Sequence, residues 1–327
     1  MEKVFYTLAA LAVAYILDFL IGDPRSWPHP VRLLGKIIEI AEWTVRRIFK
    51  TPAGLKVGGA LILLVTGLGS VAVVIALVRL AYGLHPAAGF IVEVYIIFTT
   101  LAGGDLRSHI LAVEKRLAQE DIPGARAAVA LLVSRDTAEL DENGVARAAL
   151  ESLFENSADG LVAPLFYTAI GGPAAAVFYK TVNTLDSMLG YKTEELKDIG
   201  FFAAKADDIL SFIPARLTAL YIILAGLLHG KWQRGLKVLS ADRNKHQSPN
   251  SAWPMAAAAG VLGVGFGGRD YFRGDVIERP RINPAGKAAL ASDIGRGLTL
   301  FRSTSVLALL TMLFLTYWIR ILEVMLF

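Results

Sequence analysis

Between residues 134 and 216 an otherwise apolar chain carries three dense polar clusters, and the spacing within them bears on chemistry. Glu151, Glu155 and Asp159 recur at i, i+4 and i+8, so a continuous helix would present them as one acidic stripe, with Arg147 one turn earlier. Like charges at that spacing weaken a helix by about 0.2–0.5 kcal/mol per pair, so a neutralising group is expected. Magnesium, held by one or two carboxylates and by phosphate oxygens, would serve. A salt-bridged solvent face would serve as well on spacing alone, but Asn156, Ser157 and the apolar run from Leu161 favour a ligand.

The other two clusters are Ser134-Arg135-Asp136-Thr137 and Asn183-Thr184-Leu185-Asp186-Ser187, the latter just after Lys180 closes an apolar run. Asn183 and Ser187 share a helix face with Asp186 between them, which suits an interfacial cap or a ligand patch equally. Asp207-Asp208 precede Pro214-Ala215-Arg216, where an arginine enters an apolar segment. At that depth it needs a partner, either Asp208 two turns back or a phosphate. Two proline-stiffened loops hold further cations: Pro28-His29-Pro30-Val31-Arg32, and Arg243 to Asn250 with His246. Each suits an anionic ligand or a loop that sets topology.

The elements that must position these residues are membrane helices. The mean hydropathy is +0.51 and charged residues make up 19% of the 327, against about 25% in a soluble domain. Charge-free runs cover 57–78, 160–179, 246–268 with His246 neutral, and 303–319, where roughly 20 residues span a bilayer. Segments 4–21, 86–104 and 209–228 are weaker candidates, the first read as a retained anchor rather than a cleaved signal. The fold class expected is all-α, a polytopic helical integral membrane protein with about five to seven crossings. Segments 160–179, broken by Gly171-Gly172-Pro173, and 246–268, with Pro249 and Pro254, are expected to be broken or re-entrant. One membrane domain over 1–327 is expected, with a cytoplasmic helical insertion at 105–160 built from helices at 106–119, 124–133 and 138–156. The last of these has a capping-box spacing in Asp136 and Glu139.

Seven Lys/Arg in 22–56 place that loop in the cytoplasm. The net charge of +4 and pI of about 9.2 follow from such loops, and no basic run with interleaved aromatics points to nucleic acid. Without cysteine there is neither disulfide nor thiolate, and five scattered histidines make zinc an unsuitable metal. No phosphate-binding G-x-x-x-x-G-K-[ST] occurs, and Gly263 to Gly268, with no strand before it, is read as close helix packing.

Taken in order, these stretches resemble one family over nearly the whole chain, the adenosylcobinamide-phosphate synthases of cobalamin biosynthesis. The resemblance rests on Leu17-Asp18, Gly22-Asp23-Pro24, Pro28 to Arg32, Ser134 to Thr137, Glu151-Ser152, Glu155 to Gly160, Ala163-Pro164, Gly171 to Pro173, Asn183 to Met188, Gly190-Tyr191, Asp207-Asp208, Pro214 to Thr218, His246 and Ser248 to Asn250. Ala252 and Met255 depart from it, standing where a glycine and a glutamate are expected. The resemblance implies a ligase that joins adenosylcobyric acid to aminopropanol phosphate or ethanolamine phosphate, using ATP and magnesium and no tightly bound cofactor. It implies a multi-pass protein of the inner membrane with its site on the cytoplasmic side. Its partners would be the corrinoid, the amino alcohol phosphate, the lipid bilayer and other late-pathway membrane enzymes.

On that reading Glu151, Glu155 and Asp159 are the candidate magnesium ligands and, with Asp186, the catalytic carboxylates. Substrate would be bound by His29, Arg32, Arg135, Asp136, Asn156, Lys180, Asn183, Ser187, Arg216, His246 and Asn250. Two other classes compete. A secondary transporter would share the broken helices but should show internal pseudo-symmetry, which is not visible. A membrane alcohol phosphotransferase should show D-G-x-x-A-R, whereas Asp159-Gly160 is followed by Leu161-Val162-Ala163-Pro164.

Overall fold

The computed structural model describes residues 2–23, 30–228, 230–272 and 274–326. In chain order the helices are α1 (Glu2–Ile21), α2 (Pro30–Ile48), α3 (Pro52–Leu84), α4 (Pro86–Thr100), α5 (Gly103–Ala118), α6 (Ile122–Val129) and α7 (Glu142–Ser157). A π-helical turn (Ala158–Val162) leads into α8 (Ala163–Leu189), followed by α9 (Phe201–Leu210), α10 (Phe212–Leu227), α11 (Trp232–Asp242) and α12 (Ala252–Leu262). A hairpin of β1 (Phe266–Phe272) and β2 (Asp275–Ile282) precedes α13 (Ala291–Leu326).

Local chemistry sets most boundaries. Thr51 caps α3 by accepting from the Gly54 amide at 3.1 Å, with Pro52 in the first turn. His85 Nδ1 accepts from Ala87 at 3.1 Å, so a single residue separates α3 from α4. Four helical stretches among the described residues are long and apolar enough to cross a membrane: Pro52–Leu84, Pro86–Ala118, Glu142–Leu189 and Ala291–Leu326. A fifth arises if α9 and α10, bent by 44°, count as one span, and Phe5–Ile21 is a shorter apolar helix. The chain is a helical polytopic membrane protein, as its hydropathy requires. The break expected in 160–179 is present at Gly172, whose φ of +67° would strain any L side chain and is followed by Pro173.

Two local expectations change. The helix expected from 138 starts at Glu142, because Asp141 rather than Asp136 caps it, accepting from Gly144 at 2.7 Å. The 246–268 run, expected to be broken or re-entrant, holds one short helix. Its helical part, α12, has 11 residues and reaches only about 16 Å, against a hydrocarbon core of about 30 Å. The glycines at 263–268 do not mark close helix packing. Gly263 ends α12 in the left-handed conformation, and Gly267 and Gly268, also at positive φ, lie at the irregularity where β1 joins β2.

Contacts group the chain into two units: residues 1–102, 163–211 and 309–327 form the first, and residues 103–162 and 212–308 the second. The first unit has a core of Ile38, Val45, Ile62, Leu185, Leu189, Ile199 and Ala203, from α2, α3, α8, α9 and the turn before α9. Gly59 lets α3 meet that turn, since a Cβ there would lie 1.9 Å from the Ile199 carbonyl oxygen. In the second unit α12 packs on α10 and α11, and α5 on α6 and α7.

Candidate functional site

Helix α7 delivers Glu151 to the interior of the second unit, where it is 3% exposed. Burying a carboxylate costs several kcal/mol unless it is paired and hydrogen-bonded, and here every neighbour is a donor. Arg135 Nη2 donates to Glu151 Oε2, Arg279 Nη1 stands 3.6 Å from the same oxygen, and the Gly267 amide donates to Oε1 at 2.6 Å. Asp270, fully buried on β1, is the second anion. Arg135 donates to its Oδ2, Arg147 Nη2 to its Oδ1 at 2.7 Å, and Arg279 approaches Oδ2 at 3.5 Å. Arg147 also binds the carbonyls of Gly267 and Arg269, which ties α7 to the hairpin. Three guanidiniums on two carboxylates leave one net positive charge. Burial pulls the Arg135 guanidinium down, yet Glu151 and Asp270 outweigh it and hold it above its ordinary value.

Next to this network lies a small cleft lined by Glu151, Lys245, His246, Met255, Phe266 and Arg279, among others. Burial pushes the His246 imidazole below its ordinary value, with Arg279 acting in the same direction against Glu155 and Glu151. The ring is therefore neutral near pH 7. The Ser248 amide approaches Nδ1 at 3.1 Å. Nε2 faces Arg279 Nη2 at 3.0 Å. A guanidinium only donates, so in a hydrogen bond at that distance Nε2 is the acceptor.

Arg216 gives a second cationic element of the same unit. Its Nη1 donates to the Phe212 carbonyl at 2.7 Å and to Asn250 Oδ1 at 3.1 Å. The guanidinium lies 3.3 Å above the Phe212 ring centre and 4.4 Å from that of Trp253. Its partners within the unit are an amide, a carbonyl and two aromatic faces. Trp253 Nε1 is buried and has no hydrogen-bond partner among the described residues. With an amide, a carbonyl and two rings as its partners in this unit, Arg216→Ala should shift the melting temperature little while raising the apparent KM for a phosphorylated substrate. Thermal melting beside initial-rate kinetics checks this, and an early-melting variant with unchanged KM would make Arg216 architectural.

The remaining sequence candidates fall into two sets. Asp136 accepts from the Gly274 amide at 2.7 Å and pairs its backbone with Tyr271, so it anchors the hairpin. Asn156 donates to Ser152 within α7, and Glu155 and Asp159 are half-buried on the same stretch. Arg135, Asp136, Glu151, Glu155, Asn156, Asp159, Arg216, His246 and Asn250 thus all belong to the second unit.

Lys180, Asn183, Asp186, Ser187 and Arg32 belong to the first. There Asn183 donates to Asp207 Oδ1 at 3.2 Å, Ser211 hydrogen-bonds the other oxygen at 3.4 Å, and Ser187 donates to the Asn183 carbonyl. Asp186 feels the charges of Asp207 and Asp208. Arg32 is exposed, 3.5 Å from Asp23. His29 lies outside the described residues.

Sequence reading missed Asp270, Arg279 and Lys245. The one signal for Asp270 was the alternation around it in β1, with Asp270 buried and Arg269 exposed. Its partners Arg135 and Arg147 stand more than 120 residues earlier. Met255, where the resemblance leads one to expect a glutamate, lines the cleft. Among the described residues no three His, Asp or Glu side chains group as a metal site. Glu151 is buried with both oxygens committed to donors, so it does not fit as a magnesium ligand. Glu155 and Asp159 are the acids of the stripe left to hold one.

No solved structure matches the chain. Residues 11–301 match the family described as CobD/Cbib protein. The cobalamin biosynthesis protein CobD of Klebsiella pneumoniae is 42% identical, over 96% of this chain and 98% of its own length. The cobalamin biosynthesis protein CbiB of Salmonella arizonae is 38% identical over the same shares, and that of Salmonella typhimurium 40% identical over 93% and 95%. On a match that runs almost end to end, this chain belongs to the CobD/CbiB family.

Proposed function

We propose that this chain acts in cobalamin biosynthesis as an amide-forming ligase, joining a carboxylate of adenosylcobyric acid to the amine of aminopropanol phosphate or ethanolamine phosphate. Its relatives are cobalamin biosynthesis proteins by name. The observation that carries the chemistry is the cleft lined by Lys245, His246 and Arg279 beside a network with one net positive charge. Such a surface receives phosphate oxygens of the amino alcohol phosphate or of ATP.

A carboxylate and an ammonium do not condense in neutral water without activation. In the proposed reaction ATP phosphorylates the corrinoid carboxylate, forming a C–O–P acyl phosphate and releasing ADP. The deprotonated amine then attacks the carbonyl carbon, the C–N bond forms, and inorganic phosphate leaves. Glu155, half-buried and close enough to His246 to act on its titration, is the base we assign to the ammonium proton. Arg216, held over two rings, would position a phosphate. Magnesium would come with the nucleotide and be held by Asp159, offsetting phosphate charge. The site would face the cytoplasm at the inner membrane, as the basic loops require.

Purified full-length protein incubated with adenosylcobyric acid and aminopropanol phosphate should form amide product only when ATP and magnesium are both present. Equal product without ATP would refute the activation step, and none under any condition would refute the ligase.

A further inference from the structure

Helix α2 is apolar on two adjoining arcs, and the described residues cover only one. Ile38 and Val45, with Leu34 and Ala41, pack into the core of the first unit. Leu33, Ile37, Ile40 and Ile48 do not: they are 63%, 46%, 65% and 67% exposed. At about 100° per residue these four fall, with the exposed Thr44 among them, within a stripe about 80° wide, beside the packed arc. Lys36 and Arg47 border the stripe on its other side, and both are exposed. Trp43, 55% exposed, lies next to them with the Arg47 guanidinium 3.7 Å above its ring centre. Glu39, Glu42 and Arg46 occupy the opposite face, where Arg46 pairs with Glu42 at 2.8 Å.

The occupant of that stripe follows from where α2 sits in the chain. Only Phe49, Lys50 and Thr51 separate it from α3, a helix of 33 residues able to cross a membrane. The end of α2 is therefore held close to where that span enters the bilayer. A helix with a large apolar stripe, lysine and arginine along its border and a tryptophan at the boundary has the pattern of one lying in the membrane interface. Of the charged residues next to the stripe, both are cations, which complements anionic rather than zwitterionic headgroups.

We infer that α2 lies flat in the bilayer interface, with Leu33, Ile37, Ile40 and Ile48 among the acyl chains and Lys36 and Arg47 on anionic phospholipid headgroups. This is independent of the reaction proposed above, and its test needs no substrate.

The chain has no cysteine, so single cysteines at Ile40 and Glu39 can carry a nitroxide in the otherwise unaltered full-length protein. In vesicles of phosphatidylcholine and phosphatidylglycerol, the label at position 40 should collide more with oxygen than with a water-soluble nickel chelate. The label at position 39 should do the reverse. Preference for nickel at 40 would mean that the stripe faces water, and shielding from both reagents would mean that protein covers it; either result overturns the inference. For the headgroups, wild-type protein should melt higher with phosphatidylglycerol present than in phosphatidylcholine alone, and Lys36→Gln with Arg47→Gln should lose most of that gain. An undiminished gain in the double variant would refute the headgroup contact.

Discussion

Asp270→Ala should destabilise the protein by ~3–5 kcal/mol, the scale on which breaking a buried ion pair leaves its partners uncompensated. Asp270 is fully buried and meets Arg135, Arg147 and Arg279. Removing it leaves three guanidiniums around one carboxylate, raising the net charge of the network from one to two in a largely buried place. The hairpin should loosen first, because Arg147 would lose the carboxylate that orients it toward the carbonyls of Gly267 and Arg269. Melting of the detergent-solubilised protein reads the loss of stability, and proteolysis between residues 264 and 290 reads the loosening. A variant that melts with the wild type would show that the cluster contributes nothing net.

Glu155→Gln should lower turnover by about two orders of magnitude or more, the usual effect of losing a positioned acid or base, and should leave melting unchanged. Glu155 is half-buried and no carboxylate-locking arginine is attached to it among the described residues. Glu151→Gln, one turn earlier, should behave oppositely. It removes the charge that Arg135 and Arg279 neutralise, so melting should fall before any catalytic effect can be separated. The measurement is single-turnover amide formation at saturating magnesium and ATP beside a melting curve for each variant. Wild-type turnover in Glu155→Gln would end its assignment as base. A cold-stable Glu151→Gln with lost turnover would return Glu151 to the chemistry.

These two outcomes separate residues that look equivalent in sequence. Glu151 and Glu155 share a spacing, a helix and a neighbourhood of polar residues, yet one is buried among arginines and the other is half-buried. The distinction comes from arginines at 135 and 279 and an amide at 267, none of which a local pattern connects to position 151.

What the sequence by itself determined is what acts over a few residues. Hydropathy marked the helices that can cross the membrane, because partition into lipid depends on the composition of one segment. Gly172-Pro173 announced the break in α8, because backbone strain and a missing amide are properties of those residues. The order of the motifs was legible too, and the family with it. The tertiary structure alone decided how charges pair across long separations: Asp270 with Arg135 and Arg147, Arg279 with His246, and Arg216 with Asn250 and two rings. It also decided that residues 266–282 form a hairpin. Each of these depends on which distant group the fold brings within about 4 Å, and a buried charge takes the best partner that folding leaves beside it.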